Sequence, residues 1–222
     1  MSHRRASPVL LTALLAAAGC HTAPDTVATR EYGGPRVLAS DLGAMHNVSV
    51  ADAVWIGSFP TPADLDLAHR RGIETVIDLS LVEEGRGYDV AGTCAKLGLA
   101  YVRVSVECAR TGGFGVETVF VPDTSVDLVL SELRRANARP VLMFCANGTR
   151  AAMLFAIWRA VEGGVPLEDA LVEGRRAGMK PGAPEDFVLR QVARLSEIVA
   201  VASSPEGASV AASLPESAPA RL

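Results

Sequence analysis

One six-residue segment of the sequence combines a nucleophile, a glycine and a cation. The apolar run 141–144 leads into Cys145, and Gly148 and Arg150 follow before a helical pattern begins. A turn from strand to helix directs backbone N–H groups into one hollow, where the helix N-terminus adds positive potential. That potential favours a thiolate, and an arginine fork binds two oxygens of an oxyanion. The sequence therefore predicts an anion-binding loop of Cys145, Ala146, Asn147, Gly148, Thr149 and Arg150.

The residues around this loop alternate between strand and helix patterns. Short apolar runs predict strands at 53–57, 75–79, 100–106 and 140–144. Helical patterns fill the intervals and continue after Arg150. This alternation predicts an α/β fold with a mainly parallel, four- to five-stranded sheet and helices on both faces. Ligands of such sheets bind beyond the carboxyl ends of the strands, where the Cys145 loop lies.

Charge and residue spacing exclude two classes of function. The net charge is −4 and no run of Lys or Arg exceeds two residues, so the chain lacks the basic face that binds nucleic acid. No spacing of His, Cys and carboxylates matches a zinc or calcium pattern. We therefore expect no nucleic-acid partner, no metal and no cofactor.

The N-terminus resembles a bacterial export signal. Arg4 and Arg5 precede an apolar run at 9–18, which is too short to span a bilayer and ends in Ala-Ala-Gly-Cys. This ending resembles a lipobox, in which the cysteine is lipidated. It predicts a signal peptide at 1–19 and a lipidated tether at 20–50 that starts at Cys20. The alternative is a plain secretory signal peptide cut near the same point.

The remaining boundaries follow from composition. The folded domain is predicted over 51–199, and a tail rich in Ala, Ser and Pro over 200–222 is predicted to be disordered. The mature protein is expected in the cell envelope, attached to the membrane and facing the periplasm or exterior. An oxidising compartment favours disulfides, and a Cys94–Cys108 bridge is one pairing that leaves Cys145 as a thiol.

Five segments of the chain also follow the order of a known family. They are Trp55–Pro60, Gly72–Leu79, Gly98–Tyr101, Cys145–Arg150 and Gly164–Ala170. Together they resemble the bacterial phosphatase-like domain of the β-lactamase-hydrolase-like type, within the protein tyrosine and dual-specificity phosphatase superfamily. The resemblance covers about residues 50–180. It implies hydrolysis of a phosphate monoester, from a protein phosphotyrosine or a small molecule, through a cysteinyl-phosphate and without a metal.

The resemblance also implies a role for individual residues. Cys145 attacks phosphorus, while Arg150 and the loop amides stabilise the equatorial oxygens. The superfamily takes its general acid from the loop after the strand that corresponds to 100–106. Glu107 is the nearest carboxylate at that place, and Asp123 and Asp127 are the alternatives.

The loop departs from the tyrosine-phosphatase pattern in three ways. Four residues separate Cys145 from Arg150, where typical tyrosine phosphatases have five and rhodanese-type sulfurtransferases have four. Phe144 and Ala151 replace the usual histidine before the cysteine and the hydroxyl residue after the arginine. Three hypotheses therefore stay open, namely a phosphatase, a sulfurtransferase or persulfide carrier, and an inactive module that binds a phosphorylated ligand.

Overall fold

The computed structural model describes residues 37–84, 87–111, 118–135 and 139–202, so the predicted signal peptide, Cys20 and residues 203–222 lie outside the described part. The strands are β1 (Leu38–Ala39), β2 (Ser49–Ala51), β3 (Val54–Gly57), β4 (Thr75–Asp78), β5 (Ala100–Arg103), β6 (Ala109–Thr111), β7 (Thr118–Phe120) and β8 (Val141–Phe144). The helices are α1 (Pro62–Arg70), α2 (Val90–Leu97), α3 (Asp123–Arg135), α4 (Thr149–Val161), α5 (Leu167–Arg176) and α6 (Ala183–Ala202). None of these described helices has the length and apolar character needed to cross a membrane.

Six strands form the main sheet in the order β1-β2-β3-β8-β4-β5. The four strands from β3 to β5 in that order are parallel, and β1 and β2 add an antiparallel edge. Strands β6 and β7 form a separate antiparallel pair. The predicted α/β class and mainly parallel sheet are confirmed, with two short edge strands beyond those predicted.

Helices cover both faces of the sheet, as the sequence predicts. In the central strand β8, Val141 and Met143 join the apolar cluster that α3, α4 and α6 complete. Leu142 and Phe144 join the opposite cluster, which α1 and α2 cover. All four residues are buried, which explains why this strand reads as a continuous apolar run. The strand is thus fixed from both sides immediately before Cys145.

The folded domain begins earlier than the sequence predicts. The tether was expected to reach residue 50, but β1 and β2 lie within this range and extend the sheet beyond β3. Leu42, Met45 and Val48 are buried in the cluster under α1 and α2. The segment around them is rich in Ala, Gly, Pro, Thr and Asp, a composition typical of a linker. The fold therefore includes residues 37–50.

Local signals place α1 where it was predicted. Thr61 caps the helix by accepting from Asp64 N–H, and the Asp64 carboxylate accepts from Thr61 N–H in return. Pro62 occupies the first helical position, where an N–H group would have no partner within the helix, so proline loses no hydrogen bond there. This capping box fixes the direction in which the chain leaves β3.

The sheet separates the two cysteines for which a bridge was considered. Cys94 is a free thiol in the cluster under α1 and α2, whereas Cys108 packs against the cluster on the opposite face. Burial, and then the charges of Asp78 and Asp89, raise the pKa of Cys94 to about 11. The thiol is therefore both inaccessible and protonated at neutral pH.

We expect peptide mapping after air oxidation to show no Cys94–Cys108 link. Iodoacetamide at pH 8 should leave Cys94 unmodified in the native protein and should modify it in urea, because unfolding removes the burial that protects the thiol. The urea sample is the control for reagent activity. A crosslinked Cys94–Cys108 peptide from folded protein would contradict the placement of these residues on opposite faces.

Candidate functional site

The loop between β8 and α4 lies at the carboxyl ends of three adjacent strands. Strand β8 runs between β3 and β4. Cys145 N–H donates to Gly57 O at the end of β3 (3.4 Å), and Leu79 N–H, just beyond β4, donates to Phe144 O (2.9 Å). These bonds fix the point at which β8 ends. It is the edge where parallel sheets bind their ligands.

Gly148 allows this loop to turn tightly into α4. Its φ is +89°, in the region that favours glycine, and it occupies the N-cap position of the helix. A Cβ at this residue would lie 3.5 Å from the Gly57 carbonyl, which shows how closely the loop approaches β3. The first N–H groups of α4 have no partner within the helix and face the loop.

The base of the loop is buried while its rim is exposed. Cys145 is 0% exposed and Arg150 is 8% exposed, whereas Ala146 and Asn147 are exposed. The side-chain oxygen Oδ1 of Asn147 accepts a hydrogen bond from Thr149 N–H (3.1 Å) and lies 3.9 Å from Cys145 Sγ. This amide oxygen therefore lies close to both the sulfur and a loop N–H. An oxygen of a bound anion could accept from the same N–H group.

The Arg150 side chain points into the protein and not into solvent. Its Nη1 donates to the carbonyls of Leu79 (3.3 Å) and Val106 (3.0 Å). Its Nη2 donates to both carboxylate oxygens of Glu84, at 2.6 Å each. The arginine thus links the loop after β8 to the segments that follow β4 and β5.

Arg150 also lies beside the cysteine. Burial lowers the pKa of the Arg150 guanidinium. The hydrogen bonds to Glu84 and the interaction with Cys145 raise this pKa by more than burial lowers it. The result is a pKa above the ordinary arginine value. The thiol and the guanidinium that the sequence analysis singled out are thus both buried, at the two ends of the loop that enters α4.

The segment that carries Glu84 is fixed by its own polar contacts. Leu81 N–H donates to Glu84 Oε2 (3.2 Å), and Ser80 N–H donates to the buried carboxylate of Asp78 (2.8 Å). Tyr101 and Arg103 on β5 donate to the other oxygen of Asp78. Asp78 therefore supports the segment that holds Arg150 and does not itself reach Cys145 through any of these bonds.

The three candidate general acids occupy different places. Glu107 is exposed and follows Val106, whose carbonyl accepts from Arg150. Asp123 accepts from Gln191 (2.7 Å), and Asp127 pairs with Arg194 (2.7 Å). Both aspartates therefore tie α3 to α6. Glu107 is the candidate whose neighbour in the chain accepts a hydrogen bond from Arg150, and its role as the general acid stays a prediction.

Two residues at the site were missed by the sequence analysis. Glu84 forms the bidentate pair with Arg150, 66 positions away in the chain. Asn47 donates from its side-chain nitrogen Nδ2 to Asn147 O (2.9 Å), 100 positions away. Neither residue belongs to a motif, and both contacts exist only because distant segments meet at the sheet edge.

A cavity of about 290 Å³ adjoins the Arg150–Glu84 pair. Glu84 is part of its wall, so the cavity shares a residue with the contacts of Arg150. Three aromatic side chains and the carboxylate of Asp89 are also part of the wall, with Phe59 packed edge-on against Tyr88 at 6.2 Å between ring centroids. Tyr101 and Arg103 complete the far side. The cavity thus offers a surface with both aromatic and charged side chains next to the Arg150–Glu84 pair.

Comparison with solved structures assigns the fold. The chain is similar to TpbA of P. aeruginosa, with a TM-score of 0.55 and 21% identity over 74% of this chain and 96% of that one. It is also similar to the core catalytic domain of the PP-IP phosphatase SIW14 from S. cerevisiae, with a TM-score of 0.54 and 19% identity over 73% and 94% of the two chains. Searches against protein-family models and curated proteins find no match.

A third similar structure is also described as a phosphatase. It is a candidate phosphatase of the DUF442 type from Shewanella putrefaciens CN-32, with a TM-score of 0.54 and 14% identity over 68% of this chain and 93% of that one. The described chain therefore has the cysteine-phosphatase fold. At these identities the likeness concerns the fold, and the activity must be argued from the site.

Proposed function

We propose that the protein hydrolyses phosphate monoesters through a cysteinyl-phosphate intermediate. The observation that carries this proposal is that Cys145 and Arg150 lie at the two ends of one loop that enters α4, with both side chains buried and the guanidinium held by Glu84. A thiolate, a fixed cation and helix N–H groups around one hollow are what phosphoryl transfer needs.

The reaction has two steps. In the first, the Cys145 thiolate forms an S–P bond while the P–O bond to the leaving group breaks, and the carboxyl group of Glu107 donates its proton to the leaving oxygen. In the second, the Glu107 carboxylate takes a proton from water, and the water oxygen attacks phosphorus and breaks the S–P bond. Arg150 and the loop N–H groups bind the equatorial oxygens throughout. Phosphate leaves and the thiolate is restored.

The cavity beside the loop supports a substrate with an aromatic leaving group. Phe59, Tyr88 and Tyr101 present ring surfaces along its wall. Aromatic surfaces favour a planar apolar group over a highly charged one. Aryl phosphates, including phosphotyrosine in a protein or a small aryl monoester, are therefore the substrate class that we propose.

The cellular place of this activity is also a proposal. The lipobox-like ending at Cys20 supports attachment to a membrane by lipid, with the folded domain in the cell envelope facing the periplasm or exterior. Metabolic labelling with a radioactive fatty acid should mark the intact chain and should fail to mark a Cys20→Ser variant.

The spacing of the loop supports a second candidate function. Four residues separate Cys145 from Arg150, which is the spacing of rhodanese-type sulfurtransferases. Assays of the native protein distinguish the two. Phosphate release from para-nitrophenyl phosphate without thiocyanate formation from thiosulfate and cyanide supports the phosphatase. Thiocyanate without phosphate release supports the sulfurtransferase, and tungstate binding without either product indicates an inactive binding module.

Glu84 should be needed for tight substrate binding. Replacing Glu84 by Gln keeps the side-chain size but removes the charge that orients Arg150. The pair is a charge-assisted double hydrogen bond, so we expect the KM for an aryl phosphate to rise about tenfold. Glu83→Gln is the matched control, because Glu83 is the exposed neighbour. A lower KM in Glu84→Gln would show instead that Glu84 competes with the substrate for Arg150.

A further inference from the structure

The side chain of Asn47 contacts the anion-binding loop, although Asn47 lies 100 positions before Asn147 in the sequence. Its φ is +55°, a left-handed conformation that asparagine adopts more readily than most residues. From this position its Nδ2 donates to the backbone carbonyl of Asn147 at 2.9 Å. The bond joins the segment between β1 and β2 to the middle of the loop.

The segment that carries Asn47 is itself fixed. The preceding residue, His46, donates from its N–H to Ser58 Oγ (2.7 Å) and accepts from Ser58 N–H (2.9 Å). Asn47 also packs closely against the loop, because a Cβ on Gly148 would lie 3.5 Å from Asn47 Cβ. The backbone that carries Asn47 is therefore held at the end of β3 by bonds that do not involve the loop.

The bond to Asn147 determines which way the next peptide N–H points. A trans peptide directs its C=O and its N–H to opposite sides. Because Asn47 holds the Asn147 carbonyl, the N–H of Gly148 faces away from Asn47. Gly148 has no Cβ to favour one orientation of this peptide, since glycine accepts positive and negative φ about equally. An external contact must therefore select the orientation.

We propose that Asn47 is a positioning residue for oxyanion binding. It holds the Asn147–Gly148 peptide in the orientation that directs the Gly148 N–H into the hollow beside Cys145, where this N–H donates to an oxygen of the bound phosphoryl group. In the flipped orientation the Asn147 carbonyl would face that oxygen and repel it. This inference rests on the proposed function, since it concerns the same loop.

Two substitutions separate this role from a purely conformational one. Asn47→Gly retains the left-handed backbone without strain and removes the donor. Asn47→Asp retains the shape and the tendency toward positive φ, but it replaces the donor by a second acceptor facing the carbonyl. If Asn47 only shaped the turn, both variants would behave like the native protein. His46→Ala is the control, because it leaves the main-chain bonds to Ser58 in place.

The measurements are tungstate affinity by titration calorimetry, kcat and KM for para-nitrophenyl phosphate, and the melting temperature. We expect both Asn47 variants to bind tungstate about tenfold more weakly or worse and to show a raised KM, with Asn47→Asp the more affected. Melting temperatures and the His46→Ala control should stay near the native values.

The possible failures are distinguishable. Native-like tungstate affinity in Asn47→Gly and Asn47→Asp overturns the positioning role and leaves the proposed function standing. A loss that follows a large fall in melting temperature overturns it too, because the residue would then act through stability. If the native protein binds no tungstate and hydrolyses no aryl phosphate, the proposed function and this inference both fail.

Discussion

Replacing Cys145 by Ser is expected to abolish hydrolysis of para-nitrophenyl phosphate while tungstate binding persists. A serine hydroxyl is not ionised at neutral pH and is a much weaker nucleophile than a thiolate. The loop N–H groups and Arg150 are unchanged, so the anion still finds its donors. Loss of a nucleophile costs about 10⁴-fold or more in kcat. Steady-state kinetics and calorimetry on the same preparations check the two halves of the prediction.

The matched control for this experiment is Cys108→Ser. Cys108 is the half-buried cysteine on the segment after β5, and neither of the two proposed reaction steps uses it. This variant should retain most of the native kcat. Native protein quenched in acid during turnover should yield phosphate attached to the Cys145 peptide. Hydrolysis that survives in Cys145→Ser at a tenth of the native rate or more would exclude the cysteinyl-phosphate route.

The parts of the fold that the sequence predicted are those with local signals. The run Val141–Phe144 is apolar because β8 is buried on both faces, and this burial identifies it as a central strand. Thr61 and Pro62 mark the start of α1 through capping chemistry that involves only neighbouring residues. The loop from Cys145 to Arg150 is also local, because strand, turn and helix follow one another without interruption.

The parts that the sequence did not predict depend on contacts between distant segments. Glu84 lies in a stretch of Glu and Gly residues without a period, and its sequence resembles that of a solvated loop. It becomes part of the site because the segments after β4 and β8 meet at the sheet edge. Asn47 was assigned to a tether for the same reason, since β2 shows its role only when paired with β3. Secondary-structure propensity and hydrophobic periodicity are local properties, so they do not predict the contacts of Glu84 and Asn47 with distant segments.

Arg159 and Glu173 illustrate the same point within the core. Each lies on a helix where a charged residue would be expected at the surface, yet Arg159 is 3% exposed and Glu173 is 0% exposed. Arg159 donates to the two oxygens of Glu173 (2.6 and 3.2 Å) and to Asp52 (2.7 Å). The network joins α4, α5 and the turn between β2 and β3.

Replacing Glu173 by Ala should therefore destabilise the fold strongly. Removing one partner of a buried ion pair leaves the other charge without adequate compensation, which costs about 3–5 kcal/mol. Without Glu173, the Nε and Nη2 donors of Arg159 lose the carboxylate that accepts from them, and Asp52, which accepts from Nη1, is partly exposed. Urea denaturation should show a lower midpoint with an unchanged slope. The protein that remains folded should keep a kcat near the native value.

Two further variants test whether the expected loss of stability comes from the burial of the Arg159–Glu173 pair. Glu185→Ala breaks the exposed pair with Arg175, and it should change the free energy of unfolding little, because solvent screens exposed ion pairs. The double variant Arg159→Met with Glu173→Met should recover much of the loss, since an apolar pair leaves no buried charge. If Glu173→Ala costs no more than Glu185→Ala, the buried network contributes no more to the stability of this domain than a surface pair does.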